Sequence, residues 1–448
     1  MRGTRWLIVV FTISLALLAG GIGEAAGSFT DSEASIASGF QAWTSALWRQ
    51  TTLADFEGGV VPIRADTRSS PGDVKLARTS GIFAFQGGTA SFWRYGVTDN
   101  TWATMASPLA PNTVGAGGAL AYDGTRYIYA FRGGGSTTFW RYDTTSNTWT
   151  TLTGSAAANN GGGLACVGTT YVYALFGNGT TFRRYRIALG NWQNRAGALL
   201  PVGAGGALAY DNTQYIYALR GGGNTTFWRY DTVGNTWTSM RVTPAAVNAG
   251  GALAYVGGYV YAFQGGGSNT FWRYSIAGDN WTAMTSAPAA VNAGGALAYD
   301  GSGYIYAFQG GSNTFWRYDV LNNRWAAMAT PTGAVAAGGA LAFVPGSTYV
   351  DSATVASQVL NTNTPGDRWN ALFWDRTLPA NTNITFEVRA SDNSFAADNA
   401  TLPWISVGGT SPVTSGLPSG QYMQWRATLT TTNTAVTPLL AEVRLYHY

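Results

Sequence analysis

The chain has 448 residues, of which 46% are apolar, 14% aromatic and only 11% charged, with 59 glycines. That length suits two domains better than one, and little charge with much Gly and aromatic content argues against an ordinary helical protein and for an all-β chain rich in tight turns. A formal charge of +4 lacks the basic clusters of a nucleic-acid binder, and a single Cys (Cys166) and a single His (His447) exclude an internal disulfide and a multi-histidine metal site.

In chain order, Arg2 and Arg5 precede an uncharged apolar run from Trp6 to Gly23, and Gly23 and Ala25 are the small residues a signal peptidase reads. Residues 1–25 are therefore expected to be a secretory signal peptide. The apolar run is also long enough to remain as an uncleaved anchor, and the only expected membrane contact is through this segment. Residues 26–52 form an N-terminal segment. Its stretch Gly27-Ser-Phe-Thr-Asp-Ser-Glu-Ala-Ser35 resembles the mature start of exported fibre and matrix proteins of the TasA and camelysin type, which implies delivery to the cell surface.

From residue 79 to 345 the chain repeats itself, the strongest organising signal it carries. Phe-Trp-Arg-Tyr occurs at 92–95, 139–142, 227–230, 271–274 and 315–318, with the variant Phe-Arg-Arg-Tyr at 182–185. The six Tyr residues are spaced by 47, 43, 45, 44 and 44, and each is followed seven positions later by a Trp: Trp102, Trp149, Trp192, Trp237, Trp281 and Trp325. A full repeat reads as four short strands, for example 117–122, 127–131, 139–142 and the segment around Trp149. Four strands at this period is the size of one propeller blade. A Gly pair after the second strand, then a Tyr and a Trp with six residues between them, resembles the kelch family, and the resemblance covers about residues 81–344. It implies a six-bladed kelch-like β-propeller. Burying each large aromatic is worth roughly 4–6 kcal/mol before entropy costs, so these residues are expected to be structural, and the Arg common to all six motifs is expected to stack on a neighbouring aromatic or to bond between blades. The first repeat lacks a first strand, whereas a spare copy, Gly-Gly-Ala-Leu-Ala-Phe at 338–343, follows the last. That copy is expected to complete the first blade and close the ring.

The flanks are residues 53–78 and 346–448. The second alternates like strands at 371–374, 384–389, 422–429 and 441–446, an antiparallel β-sandwich. The runs Arg368-Trp-Asn-Ala-Leu-Phe-Trp-Asp375 and Gln424-Trp-Arg-Ala-Thr-Leu429 resemble jelly-roll modules of bacterial and archaeal surface proteins, which implies carbohydrate binding or a spacer role. Residues 53–78 are expected to add strands to this sandwich, making the propeller an insertion.

Little in the sequence carries chemistry. The copper site of galactose oxidase, itself kelch-like, needs two His, and the Ser-x-Asp-x-Gly-x-x-Trp boxes of sialidases are absent. Asp143, Asp231 and Asp319 follow the third-strand Tyr and read as turn formers. No catalytic residue, metal or cofactor is assigned. The candidate ligand site is the propeller mouth, where the residue before each Gly pair varies (Gln86, Arg132, Phe176, Arg220, Gln264, Gln309) and the loop before the first strand carries Asn159, Asn248 and Asn292. Amides and guanidinium groups there suit sugar hydroxyls or carboxylates. The expectation is an exported, non-enzymatic binding or display protein, secreted or at the cell surface, whose partner is a glycan or a surface protein. The alternatives are a self-associating subunit of a surface layer or fibre, and a secreted carbohydrate-active enzyme.

Overall fold

The structure, a computed structural model, describes residues 46–62, 64–108 and 113–447. The expected signal peptide, residues 1–25, and residues 26–45 lie outside them. The fold is all-β. Among the described residues there are six four-stranded antiparallel sheets, one per repeat, and two five-stranded sheets. The second sheet is representative, with strands Ala119–Tyr122, Tyr127–Phe131, Phe139–Asp143 and Thr148–Leu152 hydrogen-bonded in sequence order. The spare copy of the repeat forms strand Ala340–Val344, which pairs with Gly81–Phe85 so that the chain's last repeat strand is the innermost strand of the first sheet. The innermost strands touch one another in succession and the circuit closes, an arrangement compatible with a propeller.

The physical basis of the motif lies between sheets. Its Phe points into the neighbouring sheet and inserts between that sheet's Tyr and Trp. Phe92 sits 4.8 Å from Tyr142 and 4.9 Å from Trp149, both edge-on. The same insertion joins Phe139 to Tyr185 and Trp192, Phe182 to Tyr230 and Trp237, Phe227 to Tyr274 and Trp281, and Phe271 to Tyr318 and Trp325. The sixth, Phe315, meets Tyr95 and Trp102 of the first sheet at 4.9 Å each. The Tyr–Trp spacing is thus the width of a slot for a Phe from next door.

A polar clasp reinforces each slot. The Trp149 indole donates to the Ala106 carbonyl at 2.7 Å, in the loop that leaves the preceding sheet. Asn147 Oδ1 accepts from the Ala106 amide at 2.9 Å and from the Tyr142 hydroxyl at 2.7 Å. Asn235, Asp279, Asn323 and Asn100 act likewise, the last on Ala329, so the clasp also spans the closure. Asn147 has φ +55°, a conformation Asn tolerates better than most residues. The third sheet has Gly190 at this place, with φ +66°, and keeps only the indole bond, from Trp192 to Thr153.

At the axis the constraint is steric. Gly338 has φ +95°, and a Cβ there would lie 2.3 Å from the Gly115 carbonyl oxygen. Only glycine allows that approach. The motif arginines stack on second-strand tyrosines, from Arg184 over Tyr171 at 4.1 Å to Arg273 over Tyr259 at 4.5 Å. The first sheet is the exception. Gly81 replaces the Tyr, and Arg94 donates instead to the Thr79 carbonyl at 3.2 Å.

The flanks build the other two sheets. Ala46–Gln50, Leu439–His447, Trp369–Thr377, Val74–Leu76 and Ala65–Asp66 form one. Ser352–Ala356, Leu360–Asn361, Tyr422–Thr431, Thr382–Ser391 and Ile405–Gly408 form the other. They share one core that includes Trp369, Trp374, Phe386, Trp425 and Leu445. The strands are longer than the alternation suggested, and the end of the N-terminal segment, Ala46–Gln50, contributes a strand whose Trp48 pairs with Leu445.

Asn147→Gly is expected to lower stability by about 1–2 kcal/mol, because two hydrogen bonds go while the backbone conformation stays. Asn147→Ala is expected to cost about 1 kcal/mol more, for the left-handed backbone. Urea unfolding of the two variants checks this; equal midpoints would remove the backbone part of the account.

Candidate functional site

The sequence-predicted mouth residues do come together, in pairs. The backbone N–H of each first-strand loop bonds the carbonyl of the residue before a Gly pair: Asn159 to Phe176, Asn248 to Gln264, Asn292 to Gln309, Gly115 to Arg132, Gly203 to Arg220 and Ala336 to Gln86. The side chains then turn onto the loop that arrives from the preceding sheet. Gln86 donates to Ala334 at 3.0 Å, Arg132 to Thr113 at 3.2 Å, Arg220 to Pro201 at 3.0 Å, Gln264 to Ala246 at 3.2 Å and Gln309 to Ala290 at 3.0 Å, every acceptor a backbone carbonyl. The Gln oxygens accept from Thr89, Ser268 and Ser312, and Arg220 also bonds Asn224. These residues therefore brace the ring. Among the described residues Arg132 bonds through Nε alone of its five donors, and Asn248 and Asn292 are exposed. Phe176 is buried against Phe131 and Trp192 instead.

A second region was not foreseen. The segment 61–80 meets the sixth sheet along a cleft of about 400 Å³. Arg68 anchors one wall, 9% exposed at its side chain. Its two Nη atoms donate to the two Asp319 oxygens at 3.0 Å each, while Nε and Nη2 donate to Glu57 at 2.6 and 2.8 Å. The guanidinium lies 4.3 Å from the centre of the Tyr304 ring, over which Arg317 also stacks at 4.2 Å. A geometry of this kind is Arg-specific, because a fork and a flat cation are both used. Burial alone would raise the Asp319 pKa, but the Arg68 fork and the Asn322 side chain outweigh it and hold the carboxyl at about 2. Asp319 also accepts from the Leu321 and Asn322 amides, as Asp143 and Asp231 do in their own turns. It therefore forms a turn and holds an ion pair.

Beyond Arg68, the cleft is lined by Lys75, the only lysine in the chain, and by Asp66, Asp300, Tyr306 and Phe343. Asp300 caps a hairpin turn, accepting from the Ser302 and Tyr304 amides and the Ser302 hydroxyl; its burial pushes the carboxyl pKa up. Cys166 lies away from this cleft, in the third sheet, and burial pushes its thiol pKa well up. Among the described residues no three His, Cys, Asp or Glu side chains are grouped so as to hold a metal ion. No protein-family model matches the chain, and no curated protein matches it.

Arg68→Ala leaves Glu57 without its cation and Asp319 with only Arg324, 3.8 Å away, and is expected to cost about 3 kcal/mol near neutral pH. Asp319 is more acidic folded than unfolded, so its pairing stabilises the fold above about pH 4 and is lost as pH falls through about 2. The stability gap between wild type and Arg68→Ala, measured by denaturant unfolding, is therefore expected to narrow by about 2 kcal/mol from pH 5 to pH 2. A gap independent of pH would exclude the Asp319 pairing as its source.

Proposed function

We propose that this chain is an exported, non-enzymatic binding or display protein of the cell surface, built as a six-bladed kelch-type β-propeller inserted into a jelly-roll-like sandwich. Its partner is a glycan or a surface protein, met at the propeller mouth. The observation that carries this reading is the division of labour among the repeated residues. The motif Phe, Trp and Tyr pack between sheets and the motif Arg stacks on a tyrosine of its own sheet, whereas the variable polar positions sit before the Gly pairs, where Arg132 bonds through Nε alone among the described residues and Asn248 and Asn292 are exposed. A rigid rim with a few unspent polar groups suits recognition without chemistry. The turn aspartates, whose oxygens accept from backbone amides, do not suggest an acid–base pair.

A second reading, a self-associating surface-layer or fibre subunit, draws on the hairpin tips between third and fourth strands. Leu189, Val233 and Leu321 stand there 64%, 78% and 60% exposed, more apolar surface than turns need.

A glycan-array screen of the chain lacking residues 1–25, beside an Arg132→Ala/Arg220→Ala variant, tests the first reading. Specific binding that the double substitution reduces at least about tenfold is the expected outcome. Absence of glycan binding, with concentration-dependent assembly by light scattering, would overturn it in favour of the second.

A further inference from the structure

The second, fourth and sixth sheets share a pair that the other repeats lack, an aspartate directly across from the tyrosine that opens the second strand: Asp143 and Tyr127, Asp231 and Tyr215, Asp319 and Tyr304. The first, third and fifth sheets have Gly96, Arg186 and Ser275 at the aspartate's position. In each of the three pairs the motif Arg of the same sheet stacks on the tyrosine, at 4.2–4.3 Å.

Two of the three pairs also hold a second guanidinium. On the sixth sheet it comes from a distant segment. Arg68 forks onto both Asp319 oxygens at 3.0 Å and lies 4.3 Å from the Tyr304 ring centre. On the second sheet it comes from the residue next door. Arg126 forks onto Asp143 at 2.9 and 2.5 Å and lies 5.3 Å from the Tyr127 ring centre. The fourth sheet has no such group. Among the described residues Asp231 makes no ion pair and its Oδ2 accepts no hydrogen bond, while Oδ1 takes the Gln214 side-chain amide and the Val233 and Gly234 backbone amides at 2.9 Å each.

Gln214 stands just before its tyrosine, where the second sheet has Arg126 and the sixth Gly303. A Cβ on Gly303 would lie 3.0 Å from Arg68 Nη1 and 3.1 Å from its Cδ, so an arginine entering the fourth sheet as Arg68 enters the sixth displaces the Gln214 side chain. The exchange is favourable, because it replaces one neutral N–H bond with a charged fork. Beside Asp231 the hairpin tip presents the exposed Val233. Its counterpart Leu321 shares a cavity wall with Arg68, Ala54 and Val61. The matching occupant therefore carries an arginine with a small apolar residue near it.

We propose that Tyr215, Asp231 and Val233 of the fourth sheet form a docking site for an arginine side chain of a separate protein, held as Arg68 is held on the sixth sheet. The site lies at the opposite end of strand Tyr215–Leu219 from Arg220 and does not depend on what the mouth recognises.

The test is a ligand-observed NMR titration of the purified chain with Nα-acetyl-L-arginine methylamide, beside the matching lysine and citrulline derivatives. The arginine probe is expected to bind at least about fivefold tighter than either. Asp231→Asn, which keeps the turn's amide acceptor, is expected to weaken it at least about fivefold. Gln214→Arg, which places a guanidinium as Arg126 does, is expected to abolish it, and Gln214→Ala to strengthen it. The Arg132→Ala/Arg220→Ala variant is expected to bind the probe as wild type does. Arginine binding no tighter than citrulline binding, or binding that Asp231→Asn and Gln214→Arg leave unchanged, would overturn the proposal. So would concentration-dependent self-assembly that Gln214→Arg abolishes, which would make the occupant a second copy of this chain.

Discussion

A phenylalanine from one sheet, wedged between a tyrosine and a tryptophan of the next, is the contact on which the rest of this molecule depends. Ring-edge contacts of about this geometry each add roughly 0.5–1.5 kcal/mol beyond the area they bury. Made once, such a contact would join two sheets; made six times, with Phe315 returning to Tyr95 and Trp102, it leaves no terminal sheet. The polar clasp follows the same circuit. The indole and the Asn carboxamide grip the amide and carbonyl of a single residue in the preceding loop, Ala106 for the second sheet and Ala329 for the first. Packing and hydrogen bonding therefore enforce the same order of sheets, and local and global preferences agree. The glycines at the axis are the complement, since wide aromatics outside require close backbones inside.

This construction decides where function can sit. A residue present in every repeat is committed to its neighbour, so the proposed recognition would fall to positions where repeats differ. The mouth is one such place, with Arg at the second and fourth sheets and a buried Phe between them at the third. The sixth sheet is another, although its sequence is ordinary. What changes it is the segment packed against it. Arg68 converts the turn residue Asp319 into half of a buried ion pair and covers Tyr304 with a second guanidinium. The neighbouring Tyr306 and Arg317 then line a cavity, while among the described residues no such cavity is lined by their counterparts Tyr217 and Arg229 in the fourth sheet.

How much of this could be read from the sequence follows from the range of each interaction. The four-strand period, the Tyr–Trp spacing and the returning strand at 340–344 are local or self-similar, so they were visible in the chain itself. Stacking of the motif Arg on a neighbouring aromatic was one of two expected roles, but that the ring is the second-strand Tyr, and that it is missing at Gly81, can be seen only once the strands are in register. The residues before the Gly pairs were singled out by their variability, but not the carbonyls they bind, because those belong to loops about 18–19 positions upstream, or to the far end of the chain for Gln86. The cleft was not legible at all. Arg68 lies in a segment without repeats, and its partner Asp319 is 251 positions away and identical in type to Asp143 and Asp231. Lys75 alone gave a hint, as the one lysine in a chain that otherwise uses arginine.

The closed circuit of sheets is best tested by native-state hydrogen exchange. If the ring is closed by the strand at 340–344 and by Phe315 at Tyr95 and Trp102, amides of the first sheet, 81–96, should open only with the whole ring, with the same free energy as those of the fifth sheet, 271–283. Exchange of the first sheet through a distinctly cheaper opening, with the fifth still protected, would mean that it behaves as a frayed end and that the circuit is not closed.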